Sequence, residues 1–428
     1  MKERIAIINA IRSPFSKAGS FLKNISADDL GAMTLIELMQ QTSISYDDVD
    51  EVIIGNVAQP AHAANIARVV ALKAGFPNSV PAFTVHRNCA SGMEAISTAA
   101  LKLWSGYGRV IVAGGTESMS NIPLLFNDKM KSFFEKLSRS RTGLEKLKTM
   151  LGFKLSYLSP VVGVIQGLTD PVCGLIMGLT AENLAREFKI SRLDQDTFSL
   201  KSHEKAVSSE AFLKEELFSI PLKPEYQDFL SKDEGPRASQ SLEALQKLPP
   251  YFDRKNGTVT VGNSCPLTDG ACMMVLTTES EAKKRGLTPM GYIRDFAYMG
   301  LQPSRMGLGP VYATSRLLDQ TGLKMTEFDL IELNEAFAVQ VLANLDAFES
   351  KTFAKTYLGK EEALGKINID RLNSHGGAIA LGHPVGTTGA RLILTLLKQL
   401  RLKGYRRGLA TLCIGGGQGG SMIVEVDS

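Results

Sequence analysis

The chain has one tryptophan, five histidines and five cysteines among its 428 residues. No two cysteines form a C-x-x-C pair, which argues against a zinc site and against a disulfide scaffold, and free thiols fit a reducing compartment. A surplus of charge is also missing. Lys+Arg number 48 and Asp+Glu 44, a balance of +4, too even for a protein built to coat nucleic acid. Long apolar runs are absent: the most apolar stretch, 155–177, is broken by Pro160, Asp170 and Pro171, whereas a membrane-spanning helix needs about 20 uninterrupted apolar residues. The opening MKERIAIINAIRSP lacks a signal-peptide pattern and reads as a strand, so a cytoplasmic location is expected.

Glycine, by contrast, is plentiful and clusters where apolar runs end. VIVAGGTES (110–118) and GLATLCIGGGQGG (408–420) each read as a buried strand closed by a Gly-rich turn. Helical patterns alternate with such strands at 30–40, 91–104, 312–320 and 389–400, the arrangement of an α/β fold. The chain also repeats itself. A helix, an acidic linker and a short strand at 28–57 recur at 309–337. A small-residue helix start, a long helix and a Gly-Gly strand end at 89–115 recur at 376–416, with the extra length of the second copy placed at 351–370. The repetition implies two similar α/β halves, 1–117 with 251–277 and 278–428, whose sheets stay distinct. Residues 118–250 form an inserted loop domain between them. Any α/β chain is self-similar at coarse resolution, and that alternative stands on pattern alone.

Four segments carry chemistry. In HRNCASGMEA (86–95), Cys89 precedes a helical run, where the macrodipole and free N–H groups favour thiolate; a buried structural cysteine is the other reading. In GHPVGTTGAR (382–391), His383 lies in a Gly/Pro-punctuated loop suited to a general base, or is a surface histidine; His375 in NSHGG competes with it. In LCIGGGQGG (412–420), Cys413 ends a strand and Gly415 opens a turn whose N–H groups can meet a bound oxygen. Its G-x-G-x-x-G is not a dinucleotide site, because too little chain follows for a helix and a second strand. In IELNEAFA (331–338), Asn334 positions a water or caps the next helix. Two thiols and an imidazole at strand ends, without metal spacing or a cofactor motif, suggest thioester or carbon–carbon chemistry through an acyl-cysteine.

NCASGMEA, AGGTESMS, MGLTAEN, GTVTVGN, NEAFA, GGAIALGHPVGTTGAR and CIGGGQG occur in this order, and with them the sequence resembles the thiolase family along nearly its whole length. The resemblance implies a duplicated five-layer α-β-α-β-α fold with an inserted loop domain, and cleavage of 3-ketoacyl-CoA with coenzyme A as co-substrate. It implies no permanently bound cofactor and no metal, and a homodimer or dimer of dimers. Cys89 would be the acylated nucleophile and His383 its base. Asn334 would hold a water, Cys413 would shuttle the α-carbon proton, and the N–H groups of Cys89 and Gly415 would form an oxyanion hole. Met177 and Met306 match positions along the acyl and pantetheine tunnel, and Cys265 stands where thiolases usually carry a serine facing pantetheine. The alternative direction is condensation of two acetyl-CoA molecules. A non-catalytic carrier would not need Cys89, His383, Cys413 and Asn334, and a decarboxylating ketoacyl synthase uses one Cys with two His.

The insertion leans toward the β-subunit of the fatty-acid-oxidation trifunctional complex, as do YIRDFAYMG, LGPVYAT and VLANLDAF, which would imply a hydratase/dehydrogenase α-subunit as partner. That branch usually has His at position 334 and Ala-Ala at 414–415, where this chain has Asn and Ile-Gly. From Leu125 to Leu155 there are eight Lys/Arg against three Asp/Glu. An apolar stripe of Met130, Phe133, Phe134, Leu137, Leu144, Leu147 and Leu151 runs through it. The stretch 129–154 is a solvated helix pair, a lure for CoA phosphates, or an interfacial helix with Phe133 and Phe134 toward a membrane or partner.

Overall fold

A computed structural model describes residues 3–427. Nine strands matter to the site: β1 (Ile5–Arg12), β2 (Glu51–Gly55), β3 (Ala82–Val85), β4 (Val110–Ser118), β5 (Thr268–Thr278), β6 (Gly291–Gly300), β7 (Leu330–Leu333), β8 (Arg407–Ile414) and β9 (Gln418–Glu425). With the two-residue strand Ser16–Lys17, which pairs with the start of β5, they form a ten-stranded ladder in the order β7-β8-β9-β6-β1-β5-β4-β2-β3.

From the centre outward, β1-β5-β4-β2-β3 on one side repeats as β6-β9-β8-β7 on the other. On each side two antiparallel pairings are followed by parallel ones, and a lone parallel bridge between Ile331 and Leu372 stands where the second half lacks a fifth strand. The repetition reaches single residues. β1 bulges between Ile7 and Asn9, and β6 between Ile293 and Asp295. At each bulge a side-chain oxygen accepts the next backbone N–H, Asn9 from Ala10 and Asp295 from Phe296, both at 2.9 Å. Asp50 accepts the N–H groups of Arg109 and Val110 as β4 begins, and Asp329 those of Arg406 and Arg407 as β8 begins. These matched devices bend a strand and fix where it starts in each half.

The sheets of the two halves do not stay wholly distinct. They join through three residue pairs, Ile5–Ile7 with Gly291–Ile293, because β1 and β6 leave their edges open to each other there. The layers remain divided. Helices α1 (Ala27–Gln40) and α2 (Ile66–Lys73) cover one outer face. Along β4 and β5, Val110, Val112, Met273 and Val275 face them, while Ile111, Ala113, Met274 and Leu276 face inward to α3 (Ser91–Trp104) and its neighbours. This is the period-two alternation of strands. Two hairpin helices, α4 (Asp128–Arg139) and α5 (Gly143–Leu151), and two further ones, α6 (Met177–Phe188) and α7 (Arg192–Ser208), follow in the inserted region. In the second half, Leu409 and Ile423 face the outer layer of α8 (Gly309–Thr321) and α9 (Ala338–Glu349), whereas Ala410, Leu412, Met422 and Val424 share the inner core with α3 and α10 (Thr388–Lys403). The result is five layers, α-β-α-β-α, with α3 and α10 back to back in the middle. Their approach is close enough that a Cβ on Gly389, in the first turn of α10, would meet the Met93 backbone N of α3 at 2.5 Å; only glycine fits.

Among the described residues no helix is long and apolar enough to cross a membrane. The hairpin α4–α5 departs from its expected orientation. Phe133 turns into a small core of its own, 5.3 Å from the Phe153 ring and 6.1 Å from Tyr157, and Met130 is buried. The outward residues are Phe134 and, more strongly, Leu144 and Leu151, each 79% exposed. One aromatic cannot serve both faces, and Phe133 is taken up inside with Phe153 and Tyr157.

Candidate active site

A cavity of about 420 Å³ opens at the ends of the inner strands, where α3 and α10 begin. Its walls include Cys89, His383, Cys413, Gly415, Met177, Cys265 and Met306, so seven of the eight positions singled out from sequence converge. Asn334 is fully buried but does not line it. Its backbone N–H extends the β7–β8 ladder to Thr411 O at 3.0 Å, and its amide O and N have no hydrogen-bond partner among the described residues. His375 lies elsewhere, its ring tilted against that of Phe212 with centroids 4.0 Å apart.

Cys89 ends the loop that leads into α3. The backbone N–H groups of Gly415 and of Cys89 itself reach its thiol and favour thiolate, but they are outweighed. Burial pushes the Cys89 thiol up, and the Glu117 carboxylate on the cavity wall adds to this. Desolvation therefore outweighs the N–H groups at the helix start that favour thiolate, and Cys89 is a thiol that needs a base to ionise. Cys413, fully buried on β8, is held far above the usual thiol range by burial and then by Cys89 and Cys265. It too is protonated at rest.

His383 is held in one tautomer. Thr388, at the start of α10, gives its hydroxyl proton to Pro384 O at 3.0 Å, so toward His383 Nδ1, 2.6 Å away, its oxygen accepts. Nδ1 therefore carries the ring proton, and the buried Nε2, which has no partner among the described residues, is free to take one. Burial, then the charge of Arg391, pushes the imidazole down to about 3, so it is neutral. Arg391 is itself buried and paired with Glu332 at 2.8 Å.

Sequence reasoning missed Glu117, although AGGTES was in view. Its carboxylate accepts the N–H groups of Val57, Ala58 and Gly386 at 2.8–3.1 Å and the Asn56 amide at 3.1 Å, clamping the His383 loop to the end of β2. Burial holds it up at about 7. Glu335 plays a similar part outside the cavity, accepting from Ser202, Asn373 and the Ile379 N–H, so that α7 and the 373–379 loop are tied to the end of β7. No periodicity or spacing reveals which carboxylates turn toward backbone donors.

Thiols, a neutral imidazole and converging N–H groups at the strand ends of a duplicated five-layer fold are the equipment of an enzyme that moves acyl groups. Comparison with known proteins narrows the class. The thiolase N-terminal domain family matches residues 5–280 and the thiolase C-terminal domain family residues 287–426. A 3-ketoacyl-CoA thiolase of Yersinia enterocolitica is 38% identical over 428 residues, covering 99% of this chain and 97% of that protein; one of Pseudoalteromonas translucida is 38% identical over 426 residues, with the same coverage. Among solved structures, the acetyl-CoA acetyltransferase of Bacillus anthracis aligns with a TM-score of 0.86 at 34% identity over 99% of each chain. Human mitochondrial 3-ketoacyl-CoA thiolase in complex with CoA aligns at 0.84 and 34% identity, over 100% of this chain and 98% of that one. The chain belongs to the thiolase family and is an acyltransferase.

Proposed function

We propose that this thiolase works in the degradative direction, splitting 3-ketoacyl-CoA into acetyl-CoA and a shortened acyl-CoA in fatty-acid oxidation. The observation that carries the assignment of roles is the one cavity shared by a protonated Cys89, a neutral His383, a protonated Cys413 and the Gly415 turn. His383 Nε2 takes the Cys89 proton as Sγ attacks the 3-keto carbon. The C2–C3 bond breaks, and the electron pair left on C2 takes the Cys413 proton, which releases acetyl-CoA. The acyl group now rests on Cys89 with its oxygen toward the N–H groups of Cys89 and Gly415, while the other carbonyl position is met by His383 and by a water that reaches back to the buried, unpartnered Asn334 amide, which is itself off the cavity wall. Coenzyme A, the co-substrate, then attacks the thioester. Its thiol proton passes to the Cys413 thiolate, and Cys89 leaves and regains its own proton from His383. Met177, Cys265 and Met306 line the path of the pantetheine arm.

Condensation of two acetyl-CoA molecules is the second direction, favoured by the likeness to an acetyl-CoA acetyltransferase. Thiolysis assayed over a 3-ketoacyl-CoA chain-length series decides between them: activity confined to acetoacetyl-CoA overturns the degradative reading. Brief exposure to acetyl-CoA followed by mass spectrometry tests the nucleophile; acyl label on Cys413 in place of Cys89 reverses the roles.

The chain divides into 1–117 with 251–277, 118–250 and 278–428, and acts in the cytoplasm as a homodimer or dimer of dimers, with a hydratase/dehydrogenase α-subunit as a candidate partner. The exposed leucines of α5 beside the Lys and Arg residues of 129–154 support peripheral contact with an anionic lipid surface.

A further inference from the structure

The turn that supplies the Gly415 N–H is a run of three glycines, two of them, Gly416 and Gly417, at positive φ. Such a run has no side chains of its own to fix it, and glycine has the widest backbone freedom of any residue. Besides the Gly415 N–H that reaches the Cys89 thiol, two hydrogen bonds from outside the β8–β9 hairpin hold the run's carbonyls among the described residues. One is the Leu301 N–H on Gly417 O at 2.8 Å. The other is the Asn88 Nδ2 amide, which donates to Gly415 O at 2.7 Å. Asn88 precedes the nucleophile, lines the same cavity, and has φ +43°, a left-handed conformation that Asn tolerates better than most residues. That conformation is fastened in turn: Asn88 O accepts from the Ser91 hydroxyl at 2.7 Å and the Ser91 N–H at 3.0 Å.

We infer that Asn88 is a positioning residue that sets the oxyanion-binding geometry by holding the glycine turn of the second half against the nucleophile loop of the first. Two peptide segments from opposite halves must keep their N–H groups converged on one sulfur, and later on the oxygen of the group bound to it. Asn88 joins the loop that bears Cys89 directly to the residue that bears the second donor. With the Gly415 carbonyl pinned, the Gly415–Gly416 peptide is fixed and Gly415 Cα is held beside the nucleophile loop, which narrows the backbone rotation that would turn the Gly415 N–H away from Cys89. The inference rests on Cys89 as the acylated thiol with the Gly415 N–H as an oxyanion donor.

The test compares Asn88→Gly and Asn88→Asp with the unaltered enzyme in single-turnover acylation and steady-state thiolysis. Glycine keeps the left-handed backbone and removes the amide. Aspartate keeps size and conformation but, when ionised, sets an acceptor against the Gly415 carbonyl. For Asn88→Gly the acylation rate and kcat fall about tenfold, less than the hundredfold or greater loss typical of deleting an oxyanion donor outright, while KM stays within about twofold. For Asn88→Asp the loss is larger at neutral pH and is partly recovered as pH falls and the carboxyl gains a proton to donate, a response that a merely structural role does not produce. An acylation rate in Asn88→Gly equal to that of the unaltered enzyme overturns the inference. If Asn88→Gly does not fold, the absence of acid recovery in Asn88→Asp overturns it instead. Failure of the underlying assignment looks different: the unaltered enzyme itself then shows no acyl label on Cys89.

Discussion

Thr388 Oγ1 lies 2.6 Å from His383 Nδ1 and spends its own proton on the Pro384 carbonyl. One hydroxyl thus fixes which imidazole nitrogen faces the substrate. Thr388→Val keeps the shape and removes the acceptor, leaving a buried N–H unpaired and the tautomer unassigned. An unmade buried hydrogen bond costs about 1–3 kcal/mol, so kcat for thiolysis is expected to fall about tenfold or more, with little change in KM. Unaltered kcat in the valine variant would show that the ring is oriented by something else.

The state of Cys89 gives a second expectation. Burial and Glu117 raise its thiol against the pull of two backbone N–H groups. Only thiolate alkylates rapidly, so inactivation by iodoacetamide should accelerate with rising pH along a curve whose midpoint lies above the ordinary thiol value of about 8.5. The imidazole, at about 3, stays neutral across that range and adds no inflection of its own. A midpoint below pH 7 would mean that the helix end and the Gly415 N–H prevail in solution.

Behind the histidine, the Arg391–Glu332 pair is buried on both sides, and burial holds Glu332 up at about 7. Removing one partner of a buried pair strands the other charge, at a cost of about 3–5 kcal/mol. Arg391→Met should therefore lower stability by about that much in urea unfolding near pH 8. Near pH 5 the loss shrinks, because the stranded carboxyl then folds protonated: a raised pKa favours the folded state below it and loses that advantage as pH rises through it. Arg391→Met combined with Glu332→Gln should recover much of the deficit. Equal losses at both pH values, or additive losses in the double variant, would show that the pair is not the source.

Much of this was legible in the sequence because the deciding features are local. Strand ends rich in glycine, followed by small-residue helix starts, disclosed the duplication and put Cys89, His383 and Cys413 in one place. The matched bulges at Asn9 and Asp295 were hidden, since IAIINAIR and GYIRDFAYMG read as plain strands until their partners are known. The balance at Cys89 was hidden for a related reason: a helix start that favours thiolate is visible in sequence, but the burial that raises the thiol is a property of the assembled cavity. Asn88, Glu117 and Thr388 act by reaching residues brought near through the fold, or by a hydroxyl geometry that no pattern encodes. The hairpin illustrates the same limit, because periodicity located an apolar stripe without saying which of its residues would be used up inside.

That hairpin carries the last prediction. Phe133 is engaged with Phe153 and Tyr157, so Phe133→Ser would damage the hairpin itself and could not report on an outer surface. Leu144 and Leu151 stand seven residues apart on α5, each 79% exposed, which puts them on one face two turns apart. Around them, 129–154 carries eight Lys/Arg. Each basic residue near an anionic lipid surface contributes about 1 kcal/mol, and the attraction fades within a Debye length, so binding should be reversible and salt-sensitive. Leu144→Ser with Leu151→Ser is expected to reduce sedimentation with phosphatidylserine-containing vesicles at low salt while leaving thiolysis of soluble substrate intact, since neither residue lines the cavity. Neutral phosphatidylcholine vesicles should bind far less of the unaltered protein. If the unaltered protein fails to sediment with anionic vesicles at low salt, the face is not a lipid contact, and the hairpin is a solvated helix pair.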